Sequence, residues 1–445
     1  MGEIINALAL FLCLGVAGAC QAADAPSLPK FECDRSPLLI RDVDLWSPEG
    51  IGKHRDVLVV DGLIARIAPH GRLGAPKGAR VLDGRRQLML PGFVDAHVHF
   101  VFPGPLINDK GNQRDAVADA LTFGRQLLAS GVTSARVHLD TLEHARLLQD
   151  LARDECAPMP RLQVAGPAFI PGTGNNENAA VWDVTGVDDA IAKVQREHAQ
   201  GFQWIALHDA QKFPDDARAA LLNTARQLGM RILASGYTQP EVAAALALRP
   251  DTIDYLDVSP EPEYAAGLLD PASAQKQLTW VARIGIHDRY RAYQENPALI
   301  DAAANYEFFD ASTAESLRLA VRKAIADRTS EHSKRMDSAY PTMRRKFEQI
   351  RRSGVPLAMG TDAGSVGQFH RNAIWWEIES WMRNGASVNE WLSAVAVNGA
   401  RVLGDSSIDS LAAGKRADFL LYSGDLDKPG QAGVTAVARM GVLLK

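Results

Sequence analysis

The sequence predicts an α/β protein built on a (β/α)8 barrel. Three observations lead there. Strand-like and helix-like patterns alternate through the middle of the chain, eight strand candidates can be counted, and 445 residues suffice for such a barrel with additions. The composition is that of a globular protein with a large core, 47% hydrophobic and 23% charged. A formal net charge of −5 lacks the basic excess of a nucleic-acid-binding surface.

The elements follow in order. Ile4 to Ala19 is an uncharged apolar run followed by small residues at Ala19, Ala22 and Ala23. It reads as a signal peptide over residues 1–22, cleaved near Ala22, although Glu3 stands where a Lys or Arg is usual. The expected location is therefore exported, periplasmic or extracellular. Cys20 could be a lipidated cysteine, although Val16-Ala17-Gly18-Ala19 lacks the usual leucine. After cleavage no stretch is apolar and long enough for an integral membrane segment. Cys33 and Cys156 would then be the remaining cysteines, compatible with one disulfide or with two buried thiols.

Residues 37–90 read as short strands, with Asp61-Gly62 as a hairpin turn between two apolar runs. Eight barrel strands follow at Gly92–His97, Thr133–His138, Arg161–Val164, Gln203–His208, Arg231–Ser235, Thr252–Leu256, Leu278–Ala282 and Pro356–Gly360. Helical stretches such as Asp216–Leu228 and Val242–Leu248 lie between them. Residues 287–343 are charged, helical and too long for a simple connection, so they are expected to form an insertion over the barrel mouth. Gly414–Tyr422 and Val434–Leu444 read as strands again.

The most informative run is Pro91-Gly92-Phe93-Val94-Asp95-Ala96-His97-Val98-His99. Side chains alternate along a strand, so His97 and His99 share a face and can share one metal ion. The run resembles the first barrel strand of the amidohydrolase superfamily, metal-dependent hydrolases built on a (β/α)8 barrel. Gly131–Arg136 is similar to that family's second strand, Gly354–Gly364 to its eighth, and Leu411–Asp418 to the return into a small domain. The long insertion and Phe369-His370-Arg371-Asn372 are most similar to the imidazolonepropionase and Xaa-Pro dipeptidase-like group. The resemblance implies a barrel over 91–412 and a small flanking β-sandwich made from 37–90 and 413–445.

It also implies a metal set. Matching members hold an α metal with two strand-1 histidines and the strand-8 aspartate, here His97, His99 and Asp362. Their bridging lysine and the two histidines of a β metal fall at Ala206, Ser235 and Tyr255, none of which supplies those ligands. The expectation is one divalent ion, zinc by ligand type, and no binuclear centre. Two imidazoles and a carboxylate leave a position for water, whose pKa such an ion brings near 7.

By strand parity His208 extends the face of Ala206, Tyr237 that of Ser235 and Asp257 that of Tyr255. His208 is the candidate fourth ligand or general base, beside Asp362 as a catalytic candidate; the plain alternative is a polar loop at a strand end. Arg136, His138, Tyr237 and His370 are candidate substrate contacts, Arg136 through a substrate carboxylate, with a structural ion pair as its alternative. Tyr255 could fill space with its ring, and Trp375, Trp376 and Trp381 read as packing between helix and barrel. The function implied is hydrolysis of an amide-type C–N bond in a small molecule or dipeptide. The alternative is an inactive relative that kept the barrel as a binding or scaffold protein. Nothing in the sequence speaks to oligomeric state.

Overall fold

A computed structural model describes residues 28–103, 115–172, 180–256 and 258–444. The expected leader at 1–22, with Cys20, and Asp257 lie outside the described residues. Strands β1 (Leu38–Ser47), β2 (Gly50–Val60), β3 (Leu63–Pro69), β4 (Arg80–Asp83) and β5 (Leu88–Pro91) come first. The barrel strands are β6 (Phe93–Val98), β7 (Val132–Val137), β8 (Arg161–Val164), β9 (Ala168–Pro171), β10 (Val181–Val184), β11 (Trp204–Leu207), β12 (Arg231–Ser235), β13 (Thr252–Asp254), β14 (Thr279–Ala282) and β15 (Leu357–Met359). The chain closes with β16 (Phe419–Tyr422), β17 (Val434–Arg439) and β18 (Val442–Leu443).

All eight expected barrel strands are present and pair in parallel. The expected strands at Thr252–Leu256 and Pro356–Gly360 are shorter than their apolar runs. β13 ends at Asp254, directly before Tyr255 takes a positive φ of 81°, and β15 ends at Met359, three residues before Asp362 does so at 60°. Two short strands were not anticipated. Gly166-Pro167 interrupts the third strand, since proline donates no hydrogen bond and cannot continue the ladder. The first piece, β8, pairs with β7, and the second, β9, pairs with β11 and β10.

The other seam joins the chain after β15 to β6. Thr361 N and Asp362 N donate to His97 O at 3.2 and 3.0 Å, and His99 N donates to Ala363 O at 2.8 Å. Glycines permit that approach. A Cβ at Gly360 would lie 2.6 Å from His97 Cβ, and one at Gly364 (φ 96°) would lie 2.4 Å from His99 O. Asp95 ties the same seam, accepting from Thr361 N at 3.1 Å and Thr361 Oγ1 at 2.5 Å. His97, His99 and Asp362 are thus brought together by backbone.

The two ends of the chain form one hydrogen-bonded sheet in the order β18-β17-β16-β5-β1-β2-β3, with β4 on β1. β16 pairs antiparallel with β5, next to the start of β6. Leu38, Ile40, Val57, Ile64, Phe419 and Leu421 form an apolar core of their own there. Cys33 and Cys156 form a disulfide, joining the segment before β1 to the chain after helix Leu142–Arg153. Helices Gly285–Glu295, Ala311–Ala326 and Glu331–Ala339 build a further core around Tyr290, Tyr293, Leu317, Val321 and Met336. Among the described residues no helix is long and apolar enough to cross a membrane.

Candidate metal centre

The polar residues converge at the C-terminal ends of the barrel strands, the face on which such barrels carry their sites. His97 and His99 come from the end of β6, His138 from just past β7 and His208 from just past β11. Asp254 ends β13, Arg283 follows β14 and Asp362 follows β15. All seven are buried.

His97, His99 and Asp362 bring their ligand atoms within 4.8 Å of one another, the metal-capable cluster found among the described residues. The ring nitrogens decide whether a cation fits. His99 Nδ1 lies 2.7 Å from the carbonyl of His138, an acceptor only, so Nδ1 carries the hydrogen. His97 Nδ1 lies 2.6 Å from Asp254 Oδ2 and donates likewise. Burial, with the Arg283 charge behind it, holds His97 well below the ordinary histidine range. Burial pushes His99 down to about 4, against the pull of its bond to His138. Both rings are therefore neutral near pH 7, and both Nε2 atoms present lone pairs.

His99 Nε2 then faces Asp362 Oδ1 at 2.9 Å, a lone pair against a carboxylate oxygen, while His97 Nε2 is buried without a hydrogen-bond partner, 3.8 Å from the same oxygen. Three electron-pair donors meeting at one point suit a divalent cation and nothing that only accepts hydrogen bonds. Asp254 behind His97 is the kind of carboxylate that orients an imidazole for a metal. The residues present fit one metal ion.

Arg283 reaches the other side of Asp362. Its Nη1 pairs with Asp362 Oδ2, its Nη2 donates to the Tyr237 hydroxyl at 3.1 Å, and its Cζ lies 3.6 Å from the centre of the Tyr255 ring. Tyr255 stacks on Tyr237 at 4.0 Å. Among the described residues, neither Ala206, Ser235 nor Tyr255 adds a carboxylate or imidazole to the cluster.

His138 and His208 stack at 5.2 Å with their Nε2 atoms 3.1 Å apart, so one ring donates to the other. Burial holds His138 well below the ordinary range and His208 at about 4. His208 is therefore neutral near pH 7, and it is not in the metal-capable cluster.

Two expectations need correction. Arg136 is wholly buried and spends its donors inside the barrel, Nε on Ala96 O at 2.8 Å, Nη1 on Thr252 Oγ1 at 3.0 Å and Nη2 on Asp254 Oδ2 at 2.5 Å. No substrate carboxylate reaches it, because Asp254 already supplies the buried counter-charge. His370, expected as a substrate contact, is wholly buried and faces the backbone just past β6. Its Nε2 donates to His99 O at 2.7 Å and its ring stacks on Phe123 at 4.5 Å. It supports the backbone that carries His99. Tyr237, by contrast, lines one small cavity with Arg283 and Asp362.

Asp254 and Arg283 escaped the sequence reading. Parity had put Tyr255 inward on the sixth strand, yet Asp254 is the residue reaching His97 and Arg136, and the positive φ of Tyr255 then turns that ring inward as well. The available signal was Thr252 and Asp254 at i and i+2 in an otherwise apolar strand; Thr252 Oγ1 donates to Asp254 Oδ1 at 2.8 Å. For Arg283 it was a lone charge directly after the apolar run Thr279–Ala282.

The comparisons agree with this architecture. Among solved structures, an amidohydrolase superposes with a TM-score of 0.70 at 18% identity, over 92% of this chain and 98% of that one. A Xaa-Pro dipeptidase with methionine bound in its active site gives 0.69 at 19% identity, over 92% and 99%. Of characterised relatives, imidazolonepropionase of Salinispora tropica is 48% identical over 56 residues, 12% of this chain and 14% of that protein. Dihydroorotase of Mycobacterium tuberculosis is 48% identical over 67 residues, 15% of this chain and 14% of that protein. The matched segments thus span about one seventh of those two relatives. The profile of the amidohydrolase family matches residues 88–443, most of the chain, and the protein belongs to that family.

Proposed function

We propose that the protein is a metal-dependent hydrolase that cleaves an amide-type C–N bond of a small molecule at a mononuclear site held by His97, His99 and Asp362. The observation carrying this reading is the convergence of two neutral Nε2 lone pairs and the Asp362 carboxylate, each imidazole locked by an acceptor on its other nitrogen. Bound there, a zinc or similar ion supplies Lewis acidity toward a carbonyl oxygen and acidifies a water.

The chain's own residues supply the rest. Asp254 and the His138 carbonyl fix the two imidazole tautomers. Arg283 holds Asp362 Oδ2 and so leaves Oδ1 toward His99. His208 accepts a proton as water adds to the substrate carbonyl, and shares it with His138 through the Nε2 pair. The proton then passes to the leaving amine as the C–N bond breaks. Asp362 is the second proton acceptor at the site.

The apolar run Ile4–Ala19 and the Cys33–Cys156 disulfide support a further proposal, that the protein acts after export into an oxidising compartment.

Elemental analysis of the purified protein, beside an Asp362→Asn control, tests the central reading. About one zinc per chain, lost in the control together with activity on an amide panel, is the expected result. Failure to take up zinc stoichiometrically when it is offered would refute it and favour a binding role without catalysis.

A further inference from the structure

The helix Gly285–Glu295 starts two residues after Arg283. The first amides of a helix have no partner within it, and Ile284, the residue before this helix, makes no side-chain cap. Another helix supplies the missing acceptor. Glu377, in helix Ala373–Arg383 and 1% exposed, accepts from Ile284 N at 2.7 Å on Oε1 and from Gly285 N at 2.6 Å on Oε2. Trp381, one turn further along that helix, donates its Nε1 to Glu377 Oε1 at 2.8 Å and holds the carboxyl in that orientation.

The two helices meet closely here. A Cβ on Gly285 would lie 2.5 Å from Glu377 Oε2, 2.9 Å from its Cα and 3.1 Å from its N, so glycine is what lets them seat. They are tied again at Asp288, which accepts from Ser380 Oγ and, at 3.0 Å, from Arg383 Nη2. Arg283 stands immediately before this clasp. Its side chain turns back to Asp362 Oδ2, to the Tyr237 hydroxyl and to the face of Tyr255. Fixing the two amides that follow Arg283 fixes the backbone from which that guanidinium reaches. The hydrogen bonds of Glu377 go to Ile284, Gly285 and Trp381, so any influence on the metal set passes through Arg283.

We propose that Glu377 is a positioning residue for the metal centre. By holding the Ile284 and Gly285 amides it sets Arg283 against Asp362 Oδ2 and leaves Oδ1 for the cation. The role at a metal rests on the proposed function, while the hold on Arg283 stands on geometry. Glu377→Gln isolates it, because the side chain keeps its size but turns an amide donor toward a backbone or indole N–H.

Zinc affinity of the full chain, measured against a zinc-binding dye, tests this as a double-mutant cycle of Glu377→Gln and Arg283→Met. Each single change should shift zinc affinity by about tenfold in one common direction, the low end for losing a partner that orients a ligand. The double variant should shift no further than Arg283→Met alone. Unchanged affinity in Glu377→Gln, or two shifts that add in full, overturns the proposal. A merely structural role would lower Tm without this dependence on Arg283. Gly285→Ala displaces the same turn while keeping the carboxyl; it should give the same pattern, and it replaces Glu377→Gln if that variant does not fold. A crystal structure of the folded variant without metal reads the geometry directly. Arg283 moved off Asp362 supports the assignment, and Arg283 still in place overturns it. An unmodified protein that takes up no zinc, with Arg283 displaced in the variant, would count against the hydrolase reading alone.

Discussion

Asp254 Oδ2 stands between His97 Nδ1, at 2.6 Å, and Arg136 Nη2, at 2.5 Å, with the side chains of all three fully buried. One carboxylate oxygen thus fixes a metal-facing imidazole and neutralises a guanidinium inside the barrel. Asp254→Asn should weaken zinc binding by about 10- to 100-fold, the usual effect of losing such a partner. It should also cost about 3 kcal/mol of stability by leaving Arg136 uncompensated. Adding Arg136→Met should recover much of the stability and none of the zinc affinity. Competition with a zinc-binding dye and thermal melts check both; unchanged zinc affinity would remove Asp254 from the site.

Gly360 faces His97 Cβ and Val281 Cγ1, which would lie 2.6 and 2.7 Å from an added Cβ. Both neighbours sit in packed strands and cannot swing away. Gly360→Ala should therefore cost about 1–3 kcal/mol and lower zinc content, because it pushes β15 away from β6. A melting curve and metal analysis of the variant matching those of the unmodified protein would show that the seam tolerates separation.

His208 and His138 act as a proton-sharing pair in the proposed chemistry. His208→Ala should lower kcat by about 10²- to 10⁴-fold with KM nearly unchanged, because a general base contributes to the transition state and little to the ground state. Zinc content should stay at one per chain. Loss of zinc in His208→Ala would make His208 a ligand instead.

The Cys33–Cys156 bond spans 123 residues and holds the N-terminal segment to the barrel. Arg35 pairs with Glu155 beside it at 3.1 Å, and Phe31 N donates to Asp154 Oδ2 at 3.2 Å. Cys33→Ser with Cys156→Ser should cost about 2–4 kcal/mol, mainly by freeing the unfolded chain. Denaturant titration with and without reductant measures it, and identical midpoints would mean that the bond adds no stability.

His70 in the small sheet donates to the buried Asp56 at 2.7 Å, which raises its pKa above the ordinary 6.5; Asp56 is lowered in turn. A histidine bound more tightly to its proton when folded adds stability that is full below pH 6.5 and fades as pH rises through the raised value. His70→Gln should accordingly lower Tm at pH 6 and much less at pH 9. A Tm difference independent of pH would assign the effect to packing.

The legible part of this protein is the part written in local pattern. Apolar runs of strand length, turn residues such as Asp61-Gly62 and the i, i+2 spacing of His97 and His99 follow from backbone geometry over a few residues, so they predict β2, β3 and β6 directly. Parity at β6 brought both histidines toward one carboxylate oxygen, Asp362 Oδ1, although the register with β7 shifts there and His99 lies one residue past the strand. Parity failed on β13, because Tyr255 takes a positive φ that no neighbouring residue announces.

The sequence by itself determined the barrel and the residue types of the metal-capable cluster: two histidines and an aspartate at strand ends, with Ala206, Ser235 and Tyr255 at the positions where the family's further ligands fall. The tertiary structure alone decided what surrounds them. Asp254 lies 157 residues from His97, Asp362 lies 263 from His99, and Arg136 lies 118 from Asp254. It thereby turned Arg136 and His370 from expected substrate contacts into buried supports and brought Arg283 onto Asp362. The physical reason is that tautomer, charge state and access are set by whichever groups the barrel strands bring within about 3 Å. At those separations along the chain, neither residue type nor spacing records which group that is.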